Sequence, residues 1–448
     1  MGRLAAESSE ILGRYWMQRT AGSPRPELTI ALTSCRRAFV SIAVFSGISN
    51  VLMLTGAIFM LEVYDRVLPS RSVPTLIGLV VLAGTLYVGL GLLDLIRTRL
   101  LARIGARLDE IVSSRVYDAM VRLPLKIGTR ANAAQSLRDL DAVRVFLSGL
   151  GPIALFDLPW IPLYLIICFA FHALIGLAAL AGALVLCVLT WLTETYTRNP
   201  SKEAAEFARA RANLADASRR NAEALIAMGM IGRLGAKWRS TNLRYMASQQ
   251  TASDVASSFA STSKIFRMVL QSGVLAVGAY LVINQQATAG IIIASSILSG
   301  RALAPVDLAI ANWKGFVAAR QSWARLNQLL ALFPVLPEPT ALEAPRHSLK
   351  VEMASVAPPG TQKITAQDIN FILEAGDGLA IIGPSGSGKS CLARMLVGAW
   401  DPARGKVRLD GAAYDQWDST ARGQHIGYVP QDVELLEGTV AQNIARFV

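Results

Sequence analysis

The chain has 448 residues, of which 52% are hydrophobic and only 17% charged, with a mean hydropathy of +0.40. That balance excludes an ordinary soluble globular protein and points to membrane spans. The net charge of +12 is carried mostly between apolar segments, and no recognition motif accompanies it, which argues against nucleic-acid binding.

Residues 1–37 carry Glu7 and Glu10 ahead of any apolar stretch, unlike a cleaved signal peptide. They are too few for a separate catalytic domain. Six apolar stretches follow: Ala38–Leu61, Val73–Ile96, Ile153–Phe171, Leu174–Trp191, Phe266–Ile283 and Gly290–Ala311. Each approaches the length that crosses a bilayer. The last two are weaker, interrupted by Gln271, Arg301, Pro305 and Asp307. Arg and Lys gather before the first span, between the second and third, and between the fourth and fifth. The positive-inside rule then predicts that both termini are cytoplasmic. Two of these basic stretches, Arg97–Leu150 and Thr195–Ile265, are poor in Pro and Gly. Leu100, Ile104, Leu108, Ile111 and Val112 have helical spacing. They predict helical stalks projecting beyond the bilayer, the alternative being amphipathic helices on its surface. Spans and stalks together make a membrane domain over 38–326.

Charged residues within the spans are costly and usually face a partner or a water-filled cavity. Asp157, Arg301 and Asp307 are therefore candidates for lining a translocation path; the alternative is that span boundaries leave them at the interface. Four cysteines, Cys35, Cys168, Cys187 and Cys391, form no C-x-x-C pair and read as structural thiols.

Residues 327–348 form a linker that contains the proline-punctuated stretch Phe333–Pro339. A second domain is expected over 349–448. Leu349, Val351 and Met353 alternate as one strand, and Ile369, Phe371 and Leu373 as another. Gly405–Gly411 reads as a strand ending in an Asp-Gly turn. Leu379–Ile382 reads as a short buried strand, and Ile426–Val429 as a further short strand closed by Pro430. Between these last two, Gly383-Pro-Ser-Gly-Ser-Gly-Lys-Ser390 fits the phosphate-loop pattern G-x-x-x-x-G-K-[ST], and a helix over Lys389–Trp400 follows it. The candidate phosphate-binding residues are Gly383, Pro384, Ser385, Gly386, Ser387, Gly388, Lys389, Ser390 and Cys391. Small residues bring main-chain N–H groups close to phosphate oxygens, at the positive end of a helix. Lys389 supplies a point charge and Ser390 a hydroxyl for Mg²⁺, so the expected cofactors are ATP and Mg²⁺. The alternative is a glycine-rich turn that binds nothing.

Six spans with long cytoplasmic stalks, then a phosphate loop, resemble an ABC exporter half-transporter. GPSGSGKS, GKVRLDG and HIGYVPQDVELLEGTVAQNI look like the first half of an ABC nucleotide-binding domain. In that register Gln431 matches the Q-loop glutamine, whose amide the family uses at Mg²⁺ or the attacking water. The words LEVYDRVLPSRS (Leu61–Ser72), FDLPWIPLY (Phe156–Tyr164), NAEALIAMGM (Asn221–Met230) and NWKGFVAARQSWARL (Asn312–Leu326) resemble the permease/ATPase of type I protein secretion, in the branch that exports proteases, lipases and haem-binding proteins.

The resemblance implies a homodimer in the bacterial inner membrane. It implies a periplasmic adaptor, an outer-membrane channel and an unfolded protein substrate with a C-terminal signal. It places the stalk tips, near Ile127–Ser136 and Phe207–Ala217, against the nucleotide domains. The implied fold class is a six-helix membrane bundle followed by an incomplete α/β phosphate-loop domain. After Gln431 the family's signature, its Asp-Glu strand and its switch histidine do not occur, and His425 precedes the Q-loop. The expectation is therefore a C-terminally truncated half-transporter that binds ATP weakly and does not turn it over. Val356-Ala-Pro-Pro359 also lacks the aromatic residue on which many relatives stack adenine. A lipid or drug exporter half shares the architecture, and a non-hydrolysing nucleotide-binding scaffold is the alternative from another class.

Overall fold

The computed structural model describes residues 27–128, 135–334, 342–431 and 435–447. Glu7, Glu10 and most of the proline linker lie outside them, as does most of the first stalk tip. The chain divides into two compact units, Met1–Val116 with Gln135–Ala331, and Tyr117–Ala134 with Leu332–Val448.

The first unit is helical. Six helices are long and apolar enough to cross a membrane: Arg36–Ser70, Val73–Ile127, Gly151–Phe171, Ala173–Arg220, Ile231–Ile283 and Ala289–Leu332. All six predicted stretches fall within them. The long basic stretches are helical continuations of their spans: α4 (Val73–Ile127), α8 (Ala173–Arg220) and α10 (Ile231–Ile283) each exceed a bilayer's thickness several turns over. The first span is α2 (Arg36–Leu52) and α3 (Thr55–Glu62), closed by a π-helical turn, Val63–Val67. Before it lies α1 (Glu27–Ser34). The third is α6 (Gly151–Asp157) and α7 (Ile161–Phe171), joined by a 3₁₀ turn that holds Pro159. Between the second and third lies α5 (Gln135–Ser148), and α9 (Ala222–Ala227) links α8 to α10.

α8 and α10 lie along one another, with Tyr196 and Phe259 stacked 5.9 Å apart and the Arg211 guanidinium 4.2 Å over the Tyr245 ring. One buried cluster joins Ala57, Tyr164, Cys168, Ile175, Val274, Leu281 and Leu298 from five of the spans. The sixth span, α11 (Ala289–Leu332), is the most enclosed, 56% of its apolar window being buried against 6% for α4. That enclosure is why it tolerates Pro305 and Asp307, which protein covers wholly or in part, whereas Arg301 is exposed.

Asp65, from the π turn, accepts from Thr288 Oγ1 at 2.5 Å and from the Gly290 N–H at 2.9 Å. It thereby satisfies an open donor at the start of α11 and places a negative charge at its positive end. The word around Asp65 thus has a local structural job.

The second unit contains a four-stranded antiparallel sheet in the order β2-β1-β3-β4, with β1 Ser348–Val356, β2 Ala366–Glu374, β3 Arg404–Leu409 and β4 Ala412–Ala413. β2 alternates as its sequence requires. β1 does not: a bulge after Val351 turns Met353 outward, 56% exposed with φ 45°, and buries Ala354 and Val356. Gly405 faces this bulge, where a side chain would strike the carbonyls of Glu352 and Met353. β3 closes in the Asp410-Gly411 turn, both residues at positive φ, as a tight hairpin demands. The Asp410 carboxylate accepts main-chain N–H groups of Arg346, His347 and Ser348, which holds it below the usual carboxylate range.

Two strand expectations are corrected. Leu379–Ile382 and Ile426–Val429 form no strand, with Ile382 91% and Val429 86% exposed. The first has the composition of a strand buried on both faces, yet a strand also needs neighbours for its N–H and C=O groups. Among the described residues none pairs with them.

Candidate functional site

The phosphate loop ends on Gly388, whose φ of 95° opens α12 (Lys389–Leu396). Only glycine fits there: a Cβ would lie 2.6 Å from the Thr365 carbonyl oxygen. Gly383 and Gly386 are also at positive φ. The expected helix Lys389–Trp400 is regular only to Leu396, after which Gly398, at φ 71°, turns the chain. The Leu392 N–H already donates to the Gly388 carbonyl at 2.9 Å. The N–H groups of Lys389, Ser390 and Cys391 precede the first intrahelical bond and are the open donors of the helix start. Cys391 turns its side chain toward the apolar core, so its part in the loop is its main chain.

Lys389 curls over the loop. Its ammonium donates to the carbonyls of Gly383 at 2.8 Å and Pro384 at 2.7 Å. The residues fit an anionic oxygen cluster: open N–H donors, a cation held over them and the exposed hydroxyl of Ser390. Gln431 lies exposed after the unpaired 426–429 segment and makes no hydrogen bond to the loop among the described residues.

The far end of α12 is held by two residues that no motif marked. Tyr414 donates its hydroxyl to the Leu396 carbonyl at 2.6 Å, and Arg422 donates to the Gly398 carbonyl at 3.0 Å while stacking 4.6 Å from the Tyr414 ring. These bonds satisfy carbonyls that a helix C-terminus leaves open. Burial raises the Tyr414 hydroxyl's pKa, keeping it a donor. Leu392 and Met395 anchor the same helix in the core beside Val351, Val356 and Val407.

Val356–Pro359 runs into a turn, with the Thr361 N–H on the Pro358 carbonyl at 3.0 Å. Gly128, the last described residue of the first stalk tip, meets this turn main chain to main chain. A Cβ on Gly128 would lie 2.8 Å from the Pro359 carbonyl oxygen, and one on Gly360 would strike the Ile127 carbonyl. Lys126 also donates to the Leu332 carbonyl at 2.7 Å.

The three charged span residues have different surroundings. Asp157 is buried and accepts from Ser46 Oγ, from Asn50 Nδ2 at 2.9 Å and from Arg97 at 3.2 and 3.4 Å. Tyr164, at the other end of FDLPWIPLY, donates to the Asn50 side chain at 3.0 Å. That word therefore builds a buried polar cluster. Asp307 pairs with Arg267 at 2.7 Å and takes a bond from Ser263. Arg301 lines a cavity together with Asn50, Asp94, Arg97 and Asp157. The structure thus brings Asp157 and Arg301 to one cavity and leaves Asp307 in its own ion pair.

Residues 39–305 match the ABC transporter transmembrane region, and residues 366–446 match the ABC transporter family model. The chain belongs to the ABC transporters. It is 54% identical, over 93% of its length and 72% of that protein, to the type I secretion system ATP-binding protein PrsD of Rhizobium meliloti. It is 26% identical to the cyclolysin secretion/processing ATP-binding protein CyaB of Bordetella pertussis, of which it spans 59%. A bacterial Atm1-family ABC exporter with ATP bound shares the fold, with a TM-score of 0.73 over 92% of this chain and 74% of that one, at 18% identity. As an ABC transporter of the type I secretion kind, the chain combines a multi-pass membrane domain with a nucleotide-binding region.

Proposed function

We propose that this ABC transporter is the half-transporter of a type I secretion system and drives an unfolded polypeptide out of the cell. The observation that carries the reading is the 54% identity to a type I secretion ATP-binding protein across nearly the whole chain. The phosphate loop supports it chemically. Main-chain N–H groups from Gly386 to Cys391 and the Lys389 ammonium would hold the phosphates of ATP, and Ser390 and Gln431 would hold Mg²⁺. Bound ATP supplies the free energy of phosphoryl transfer. Lys389, which now satisfies itself on the Gly383 and Pro384 carbonyls, turns its charge to the phosphates. Tyr414 and Arg422 keep the helix start in place from behind.

For these 448 residues the proposal is nucleotide binding; hydrolysis and transport are proposed for the whole protein. Its proposed partners are a second copy, a periplasmic adaptor and an outer-membrane channel. Its proposed site is the bacterial inner membrane with both termini in the cytoplasm. Expression of the whole protein with such an adaptor and channel, in a host lacking its own system, tests this. A reporter fused to a cognate C-terminal segment should accumulate outside the cells, and should stay inside with Lys389→Ala. Export that is unchanged by Lys389→Ala, or absent throughout, overturns the reading.

A further inference from the structure

The cavity that Arg301 lines has a volume of about 200 Å³, and its wall joins Asn50, Asp94, Arg97 and Asp157 to apolar residues that include Met53 and Leu308. Its side-chain acceptors are mostly engaged. Both Asp157 oxygens take bonds from Ser46, Asn50 and Arg97, and the Asn50 side-chain oxygen takes the Tyr164 hydroxyl. One Asp94 oxygen is engaged by Arg97 at 3.2 Å, and that carboxylate sits largely exposed at the rim. Its donors are not spent. Arg97 is 2% exposed and its Nε–H, without an acceptor, is itself covered, so the accessible donor is Arg301. Among the described residues Arg301 makes neither an ion pair nor a hydrogen bond, which leaves its whole guanidinium fork open.

Charge and hydrogen bonding select the same kind of guest. Arg97 with Asp94 and Asp157 sums to one negative charge, and Arg301 balances it from another helix without touching it. An incoming cation would find side-chain oxygens mostly engaged, the free Asp94 oxygen lying at the rim. An incoming oxyanion would find the open planar fork of Arg301, suited to a carboxylate. Arg301 lies 12 residues into α11, roughly 18 Å along its axis. In a hydrocarbon core about 30 Å thick that is well away from lipid phosphates at that end. A carboxylate carried by a polypeptide in transit fits this depth better than a headgroup does.

We propose that this cavity binds carboxylate groups of the exported chain, with the Arg301 guanidinium as donor and the Ser46–Asn50–Asp157–Tyr164 cluster holding Arg97 in place as part of the wall. This rests on the secretion reading for the identity of the guest. The test uses the purified chain in phosphatidylcholine nanodiscs. The probes are a short fluorescein-labelled peptide bearing several glutamates and a free C-terminus, and its glutamine-containing, amidated counterpart, both read by fluorescence anisotropy. The acidic peptide should bind and the neutral one should not. Arg301→Gln should weaken binding by about tenfold or more, and Arg301→Lys by less, since a charged hydrogen bond is lost in the first and only its fork geometry in the second. Both variants should keep wild-type helicity and thermal unfolding. Equal binding of the two peptides, or wild-type affinity in Arg301→Gln, overturns the proposal. So does displacement of the peptide by a small fraction of phosphatidylglycerol, which would make the guest a lipid phosphate. Lost export with peptide binding intact fails the secretion reading alone, and the reverse fails this one alone.

Discussion

Arg97 and Asp157 hold one another across 60 residues of sequence, with the arginine side chain 2% exposed and the carboxylate 10%. A buried pair of this kind gains little over a well-packed apolar pair, but losing one partner strands the other charge. Asp157→Leu should therefore lower stability by about 3 kcal/mol, with Asp94 compensating Arg97 only at the rim. The double variant Arg97→Met/Asp157→Leu should recover most of that loss. Denaturant titration of helical ellipticity in a fixed detergent gives both numbers. A single variant as stable as wild type would show that Arg97 is not in fact held in low dielectric.

Gly388→Ala puts a methyl group into the Thr365 carbonyl and an L-residue at φ 95°. Left-handed backbone alone costs about 1–2 kcal/mol, and the carbonyl cannot move without disturbing the edge of β2. The variant should lose both thermal stability and binding of a fluorescent ATP analogue. Lys389→Ala should lose binding by about tenfold or more while keeping stability, because its present bonds are exposed. The two variants separate the shape of the loop from its charge.

The loop was legible because its chemistry is local: eight consecutive residues carry the glycines, the cation and the hydroxyl. The spans were legible for a similar reason, each being a single run of apolar residues. Asp157 was visible as an intramembrane charge, but its role was not. Its partners Ser46, Asn50 and Arg97 stand 111, 107 and 60 residues away, and only packing brings them together. Tyr414 and Arg422 escaped because capping a helix end needs only a donor within reach, which no spacing rule announces. Leu379–Ile382 was misread as a formed strand because composition reports what a segment is suited to, whereas pairing depends on other segments. Met353 was misplaced because a bulge shifts every later residue by one face.

Gly360→Ala tests the meeting of the Ile127–Gly128 tip with the Pro358–Thr361 turn. The added Cβ would lie 2.9 Å from the Ile127 carbonyl carbon and closer still to its oxygen, and both neighbours are main chain. Strain of about 1–3 kcal/mol is expected, relieved by separating the tip from the turn. Hydrogen–deuterium exchange should then rise in residues 123–128, while exchange in α7 stays unchanged. Uniform protection in the variant would mean that the two main chains do not meet.

Tyr414→Phe removes one hydrogen bond, to the Leu396 carbonyl, and keeps the ring that stacks on Arg422. The expected cost is about 1 kcal/mol, seen as faster amide exchange in the residues after Leu396. Adding Arg422→Met should cost more than the two single changes predict from independent sites, since both groups hold the same turn.

Glu352 supplies the clearest pH dependence. The side-chain bonds from Arg408 at 2.8 Å and Lys350 at 2.9 Å lower its pKa from 4.5 to about 2. A carboxyl whose pKa is lower in the folded state binds its proton more tightly when unfolded, so its contribution is complete above pH 4.5 and is lost as pH falls toward 2. Wild type should therefore be more stable than Glu352→Gln at neutral pH, by an amount that stays level down to about pH 5 and closes on further acidification. Salt should shrink the same difference, because the group is only partly covered. Thermal unfolding of the two proteins across pH, at low and high salt, reads both trends. A difference that persists unchanged to pH 2 would assign the stabilisation to shape and neutral hydrogen bonding, and remove the ion pairs from the account of this sheet.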